Sequence, residues 1–177
     1  LQQNNGQLAG IWVSGSGSVA TSPDLALVSF GVEAKATTVQ QARGEAATAM
    51  SKIMTVFSSY NIDTEDIQTQ VFRIEPNYEW NERHRRQDLV GYRVTNTASA
   101  KVRDLQLLGI LIDKVTEAGG NIARIKSIDF TVENTTRLTD KAREIAVADA
   151  ISKANQLAAL AGVALGKPIY ITESGSN

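Results

Sequence analysis

Few residues in this chain have both the type and the spacing to do chemistry. His84 is the single histidine, and it stands in the run Arg83-His84-Arg85-Arg86. A Ser-His-Asp triad or an imidazole-built zinc site needs partners fixed around the ring, and the sequence supplies neither a second histidine nor a cysteine. The three arginines lie near Tyr78 and Trp80 at the tip of an expected hairpin. That grouping reads as a solvated loop, or as a grip for an acidic partner or an exposed RNA loop. Glu75, Glu79, Glu82 and Asp88 interleave with the cations and cancel much of their field. Tyr78, Trp80, Arg83, His84, Arg85 and Arg86 are therefore the candidate partner contacts.

The other constellations resolve into structure. Gly15-Ser16-Gly17 lacks the Gly-Lys-Ser ending of a phosphate-cradling loop and opens no helix, so it reads as a strand permitting close backbone approach. Glu33, Asp113, Glu117, Asp140, Glu144 and Asp149 fall where polar faces are expected, and no two of them are set apart as an acid/base pair. Asp149 and Lys153 are spaced for a helical ion pair. Asn96 is in phase with Tyr92, Val94 and Ala98 on a core face, which predicts hydrogen bonds to its amide at a strand irregularity. No catalytic, cofactor-binding or metal-binding residue is assigned, and the expectation is a protein that is not an enzyme.

Composition sets the frame. The chain has 177 residues, 42% of them hydrophobic, a formal net charge of -1 and no cysteine. That suits one domain, offers no long-range attraction for nucleic acid, and excludes disulfides and thiolate chemistry. No apolar run reaches the ~20 residues a transmembrane helix needs. The start at Leu1 and the polar stretch through Gln7 read as a flexible lead-in left after a leader is removed.

Periodicity places the elements. Ile11 to Val19 reads as a glycine-serine strand, and Ala26, Val28, Phe30, Val32 and Ala34 alternate on one face of a second. Thr37 and Gln40 have the form of a capping box for a helix carrying Val39, Ala42, Ala46, Met50, Ile53 and Phe57, ending near Asn61. Strands from Asp66 to Glu75, closed by Pro76, and from Leu89 to Val102 form a hairpin tipped by Asn81 to Asp88. Asp104 caps a second helix with Leu105, Leu108, Ile112 and Val115, stopped at Gly119-Gly120. A strand follows over Ile122 to Val132. Thr136 to Leu160 reads as a helix with Ala142, Ala146, Ala150, Ala154 and Ala158 at four-residue steps, able to lie close on a sheet or another helix. A short strand, Ile169 to Thr172, ends the pattern. The fold class is α+β, an antiparallel-rich sheet covered by long helices, in the order β-β-α-β-β-α-β-α-β.

Particular stretches resemble the SIMPL-domain family of bacterial envelope proteins. They are Gly15-Ser16-Gly17, Pro23-Asp24-Leu25-Ala26, Asp66-Ile67-Gln68-Thr69, Gly91-Tyr92-Arg93-Val94-Thr95-Asn96 and Ala118-Gly119-Gly120-Asn121. The carboxyl-terminal set is the most specific: Lys141-Ala142-Arg143, Ala146 to Asp149, Lys153-Ala154, Leu157-Ala158 and Leu165-Gly166-Lys167-Pro168. The resemblance implies a lead-in at 1–10, one domain over 11–173 and a tail at 174–177. It implies one more strand beyond Ser174, whose absence would uncover a sheet edge. It also implies export to the periplasm or cell surface, no established enzymatic activity, and a kinship with proteins of oxidative-stress defence.

The functional expectation is a non-enzymatic envelope protein acting by self-association, as a homo-oligomer, or by binding an envelope protein partner. It needs no cofactor, binds no nucleic acid and has no transmembrane helix. The alternative is a small-molecule binder or weak hydrolase with a site between sheet and helices.

Overall fold

The computed structural model describes residues 10–175, so residues 1–9 of the expected lead-in at 1–10 and the last two residues of the expected tail lie outside the described residues. Two compact units emerge from the chain: residues 22–133, and the pair of segments 1–21 and 134–177.

In the unit formed by 22–133, β1 (Leu25–Ala36) leads through α1 (Val39–Ser59) and a short 3-10 turn to β2 (Ile67–Asn81). Then come β3 (Arg86–Val102), α2 (Leu108–Gly119) and β4 (Ala123–Thr131). The four strands form one antiparallel-paired sheet in the order β2-β3-β1-β4. The mixed α+β class is as expected.

The alternation of β1 explains its central place. Ala26, Val28, Phe30, Val32 and Ala34 are all buried, and across the ladder Val94, Ala98, Ala100 and Val102 of β3 join them on the same face. Onto that face α1 presses Ala42, Ala46, Ile53 and Phe57, and α2 presses Leu108, Leu111 and Val115. Phe30 and Phe57 meet with ring centroids 4.4 Å apart. Each large side chain removed from water here contributes about 1.5–3 kcal/mol.

Helix ends follow the sequence with small shifts. Thr38, one residue past the expected cap, accepts the N–H of Gln41 at 3.3 Å, while the Gln41 side chain turns to Glu45 and leaves the box half closed. Asn61 takes φ 57° at the end of α1, and the Ile62 N–H reaches back to the Phe57 carbonyl at 3.1 Å. Asp104 accepts from the Gln106 N–H at 3.0 Å. On α2 the buried phase runs through Leu111 rather than Ile112, because the step of three from Leu108 faces the sheet more squarely than the step of four.

Two strand expectations change. β2 continues through Pro76 to Asn81, because on an edge strand a proline's missing N–H costs no ladder bond when it faces outward. The hairpin loop is thereby cut to Glu82–Arg85. Asn96 is half-buried opposite Val32 and Phe72, close to the β2 bulge at Thr69/Val71. Its amide makes no hydrogen bond among the described residues, and its partial exposure leaves solvent to satisfy it.

The sheet's ends are tied by charge. Arg103 donates to Asp66 at 2.5 and 3.0 Å and to Glu133 at 2.7 Å through both Nε and Nη2. Glu133 in turn donates its N–H to Asp24 at 2.8 Å. One guanidinium thus joins the entry to β2, the end of β3 and the end of β4. The hydrogen bonds from Arg103 hold the Asp66 and Glu133 carboxyls below their ordinary range, and the two carboxylates raise Arg103.

The other unit is built on α3 (Thr136–Leu160), with the bounds the sequence predicts. Gly162 at φ 67° closes it, and the Val163 N–H returns to the Ala158 carbonyl at 3.0 Å. Neither outer strand of the expected order forms: residues 11–19 and 169–172 enter no ladder among the described residues.

Candidate functional site

Residues 11–19 form an extended strap along α3, and the fit follows from two repeats. Two residues of extended chain advance roughly 6.6 Å, and four residues of helix advance roughly 6.0 Å. Alternate strap residues therefore meet successive members of the alanine line. A Cβ on Gly17 would fall on the Ala142 carbonyl oxygen, and one on Gly15 would fall on that of Ala146 and within 2.8 Å of the Ala150 Cβ. Burial alternates accordingly: Ile11, Val13, Gly15, Gly17 and Val19 are half-buried, whereas Ser14, Ser16 and Ser18 are exposed. The alanine line admits an extended backbone because both surfaces lack bulk.

Side chains of α3 clasp the strap. The Ser16 N–H donates to Asp149 Oδ2 at 2.9 Å, and Lys153 Nζ donates to the Ser14 carbonyl at 3.1 Å and to Asp149 at 2.7 Å. Lys153 and the Ser16 N–H hold the Asp149 carboxyl below its usual range. In an extended chain the backbone groups of successive residues point to opposite sides, so those of alternate residues share an edge. The edge carrying residues 14 and 16 is clasped, and the edge carrying Val13, Gly15, Gly17 and Val19 makes no hydrogen bond among the described residues. The carboxyl-terminal segment of the same unit adds Tyr170 against Trp12, centroids 6.4 Å apart, and Glu173 against Arg143 at 3.0 Å. Sequence reasoning found the spacing of Asp149 and Lys153 but not the strap between them.

The residues singled out in the sequence come together on the β2–β3 arm. β1 pairs with β3 only as far as Ala36 and Tyr92, so residues 77–91 continue as a two-stranded ribbon. Gly91 stands at the root: its φ of 156° and the Ala36 carbonyl oxygen, on which a Cβ would fall, both require glycine. Beyond a bulge between Asn77 and Tyr78, the pairs Tyr78/Leu89 and Trp80/Gln87 share one face, and Glu79/Asp88 and Asn81/Arg86 share the other. Arg86 donates to Asp88 at 2.7 Å, and Asn81 does the same, lowering the Asp88 pKa chiefly through the Asn81 bond. The His84 N–H caps on Asn81 Oδ1 at 3.1 Å, and Arg85 takes φ 49° in the loop. The side chains of Arg83, His84 and Arg85 have no partner among the described residues.

Neither unit concentrates other chemistry. Among the described residues no three carboxylates or imidazoles cluster as metal ligands. A depression of about 540 Å³ lies between the middle of α1 and the C-terminal end of α2, lined by Glu45, Lys52 and Glu117 among mostly small residues. Glu117 is held there by Lys114 at 2.8 Å. Asp140 and Glu144 are likewise paired along α3, with Arg143 and Lys141. No helix of the described residues is long and apolar enough to cross a membrane.

The sequence matches known proteins over most of its length. The family model described as SIMPL, protein of unknown function (DUF541), matches residues 11–177. The chain is 31% identical over 170 residues to the 26 kDa periplasmic immunogenic protein of Brucella melitensis, covering 94% of this chain and 67% of that protein. It is 34% identical over 157 residues to the uncharacterized protein YggE of Edwardsiella ictaluri, covering 89% of this chain and 64% of the relative. YggE of Escherichia coli is 30% identical over 148 residues, 84% of this chain and 58% of that protein. The chain thus spans about two thirds of the length of these relatives or somewhat less. From the strap glycines to the alanine line of α3, the chain belongs to the SIMPL family.

Proposed function

We propose that this chain is a non-enzymatic component of the bacterial cell envelope, periplasmic like the Brucella relative's name, and that it acts by self-association or by holding another envelope protein. The observation that carries this reading is the strap: an extended backbone with one edge clasped and one edge that makes no hydrogen bond among the described residues. Such an edge accepts an added strand, with glycines offering little side-chain obstruction. A homo-oligomer built by strand addition would give those amides their partners.

A role in oxidative-stress protection fits the same reading only indirectly. The chain has no cysteine and two methionines, Met50 and Met54, both partly buried against the core of α1. Such thioethers are placed to pack rather than to scavenge. The alternative of a small-molecule binder or weak hydrolase gains little from the packing, since Phe30, Phe57, Ile53 and Leu111 fill the space between the sheet and the α1/α2 layer.

Light scattering on the chain with and without residues 1–18 tests the proposal. A multimer that becomes smaller on truncation supports it, and an unchanged monomer in both samples ends it. Capture from an envelope fraction on the immobilised chain then identifies the partner.

A further inference from the structure

We infer that the β2–β3 arm docks on an anionic phospholipid surface. This goes beyond the strap reading and rests on different residues. On the arm, Trp80 is 61% exposed, Tyr78 52% and Leu89 50%, and Val90 sits exposed at the bulge. The uncharged face of the ribbon holds Tyr78, Trp80 and Leu89, whereas Glu79 and Asp88 occupy the opposite face, where Arg86 neutralises Asp88 and Asn81 donates a hydrogen bond to it. At the tip, Arg83 and Arg85 have no side-chain partner among the described residues; the loop's one carboxylate is Glu82, and Glu79 on the opposite face is also unpaired among them.

Two arguments select a membrane over a protein. Tyr and Trp with one apolar end and one polar end suit the headgroup boundary, and unpaired arginines beside them complement lipid phosphates. The area is also small. Aromatic side chains carry 150–250 Å² each, so the four apolar residues offer on the order of 400 Å², about half of the ~800 Å² per partner in a stable protein complex. Insertion of a few side chains into a headgroup layer needs no more.

The test is co-sedimentation with vesicles of phosphatidylcholine, with and without phosphatidylglycerol, using the Trp12→Phe chain so that Trp80 is the only tryptophan. The expected result is binding to the phosphatidylglycerol vesicles alone, weakened by salt, with a blue shift of Trp80 emission. Arg83→Ser with Arg85→Asn, asparagine being suited to the positive φ, lowers the partition about fivefold per arginine. Trp80→Ser lowers it independently, and both variants keep the parent's thermal melt because the arm lies outside the core. Equal binding to both vesicle types, no binding to either, or undiminished binding by the folded variants would overturn the inference. Loss of self-association in these variants without vesicle binding would assign the arm to protein contact and overturn it equally.

Discussion

Asp149 holds the backbone N–H of Ser16 at 2.9 Å, across 133 residues of sequence, while its neighbour one turn on, Lys153, holds the Ser14 carbonyl. A helix carboxylate and a helix ammonium together replace a strand partner on one edge of the strap.

Its strength rests on the absence of side chains beneath it. Gly15→Ala or Gly17→Ala would drive a methyl into the α3 backbone at Ala146 or Ala142, and the strap would lift. The expected loss is about 1–3 kcal/mol, read from thermal unfolding, with faster proteolysis of residues 11–19. Gly44, inside α1 with open space around its Cα, is the contrast: Gly44→Ala should stabilise by about 0.5–1 kcal/mol.

The clasp is also pH-dependent. The Asp149 pKa is lowered in the folded chain, first by Lys153 and then by the Ser16 N–H. Its contribution is therefore present above the ordinary carboxylate pKa and is lost as pH falls through the lower folded value. Limited proteolysis of the strap should accelerate on acidification below about pH 4, given that ordinary value. Asp149→Asn should be cut faster already at neutral pH.

Arg103 invites a test of shape against charge. Its fork bonds Asp66 and Glu133 at once, which an ammonium cannot reproduce. Arg103→Lys is expected to lower the melting temperature nearly as far as Arg103→Ala. The Asp66 and Glu133 shifts have the same sign as that of Asp149, so this clamp too weakens on acidification rather than at alkaline pH. A wild-type-like melt for Arg103→Lys would show that charge alone suffices.

The core prediction is the most ordinary. Phe57 is fully buried against Phe30, and Phe57→Ala should cost about 3–5 kcal/mol in denaturant unfolding. Peroxide treatment that converts Met50 and Met54 to sulfoxides should destabilise in the same direction, because both thioethers pack against that core.

What could be seen in the sequence follows from the range of the forces involved. The alternation of Ala26 to Ala34 and the span of α3 depend on neighbours two to four residues apart, and both were legible. Pro76 hid the continuation of β2, so Tyr78 and Trp80 read as neighbours of a charged loop rather than as one face of a ribbon. The partner of the strap was not legible: a glycine-serine repeat of period two suits a sheet and a row of alanines alike. Asp66, Arg103 and Glu133 meet only because three strand ends converge, which no local pattern records. The candidate site was half visible, as small residues on two segments whose match in stride becomes plain only when they lie side by side.

Hydrogen exchange along residues 13–19, followed as protein concentration rises, tests the association account most directly. In the single chain the Ser16 N–H is bonded, and those of Val13, Gly15, Gly17 and Val19 have no partner among the described residues. Strand addition predicts that these four amides become protected as oligomers form. If they exchange equally fast at every concentration while oligomers accumulate, the strap is not the joining edge.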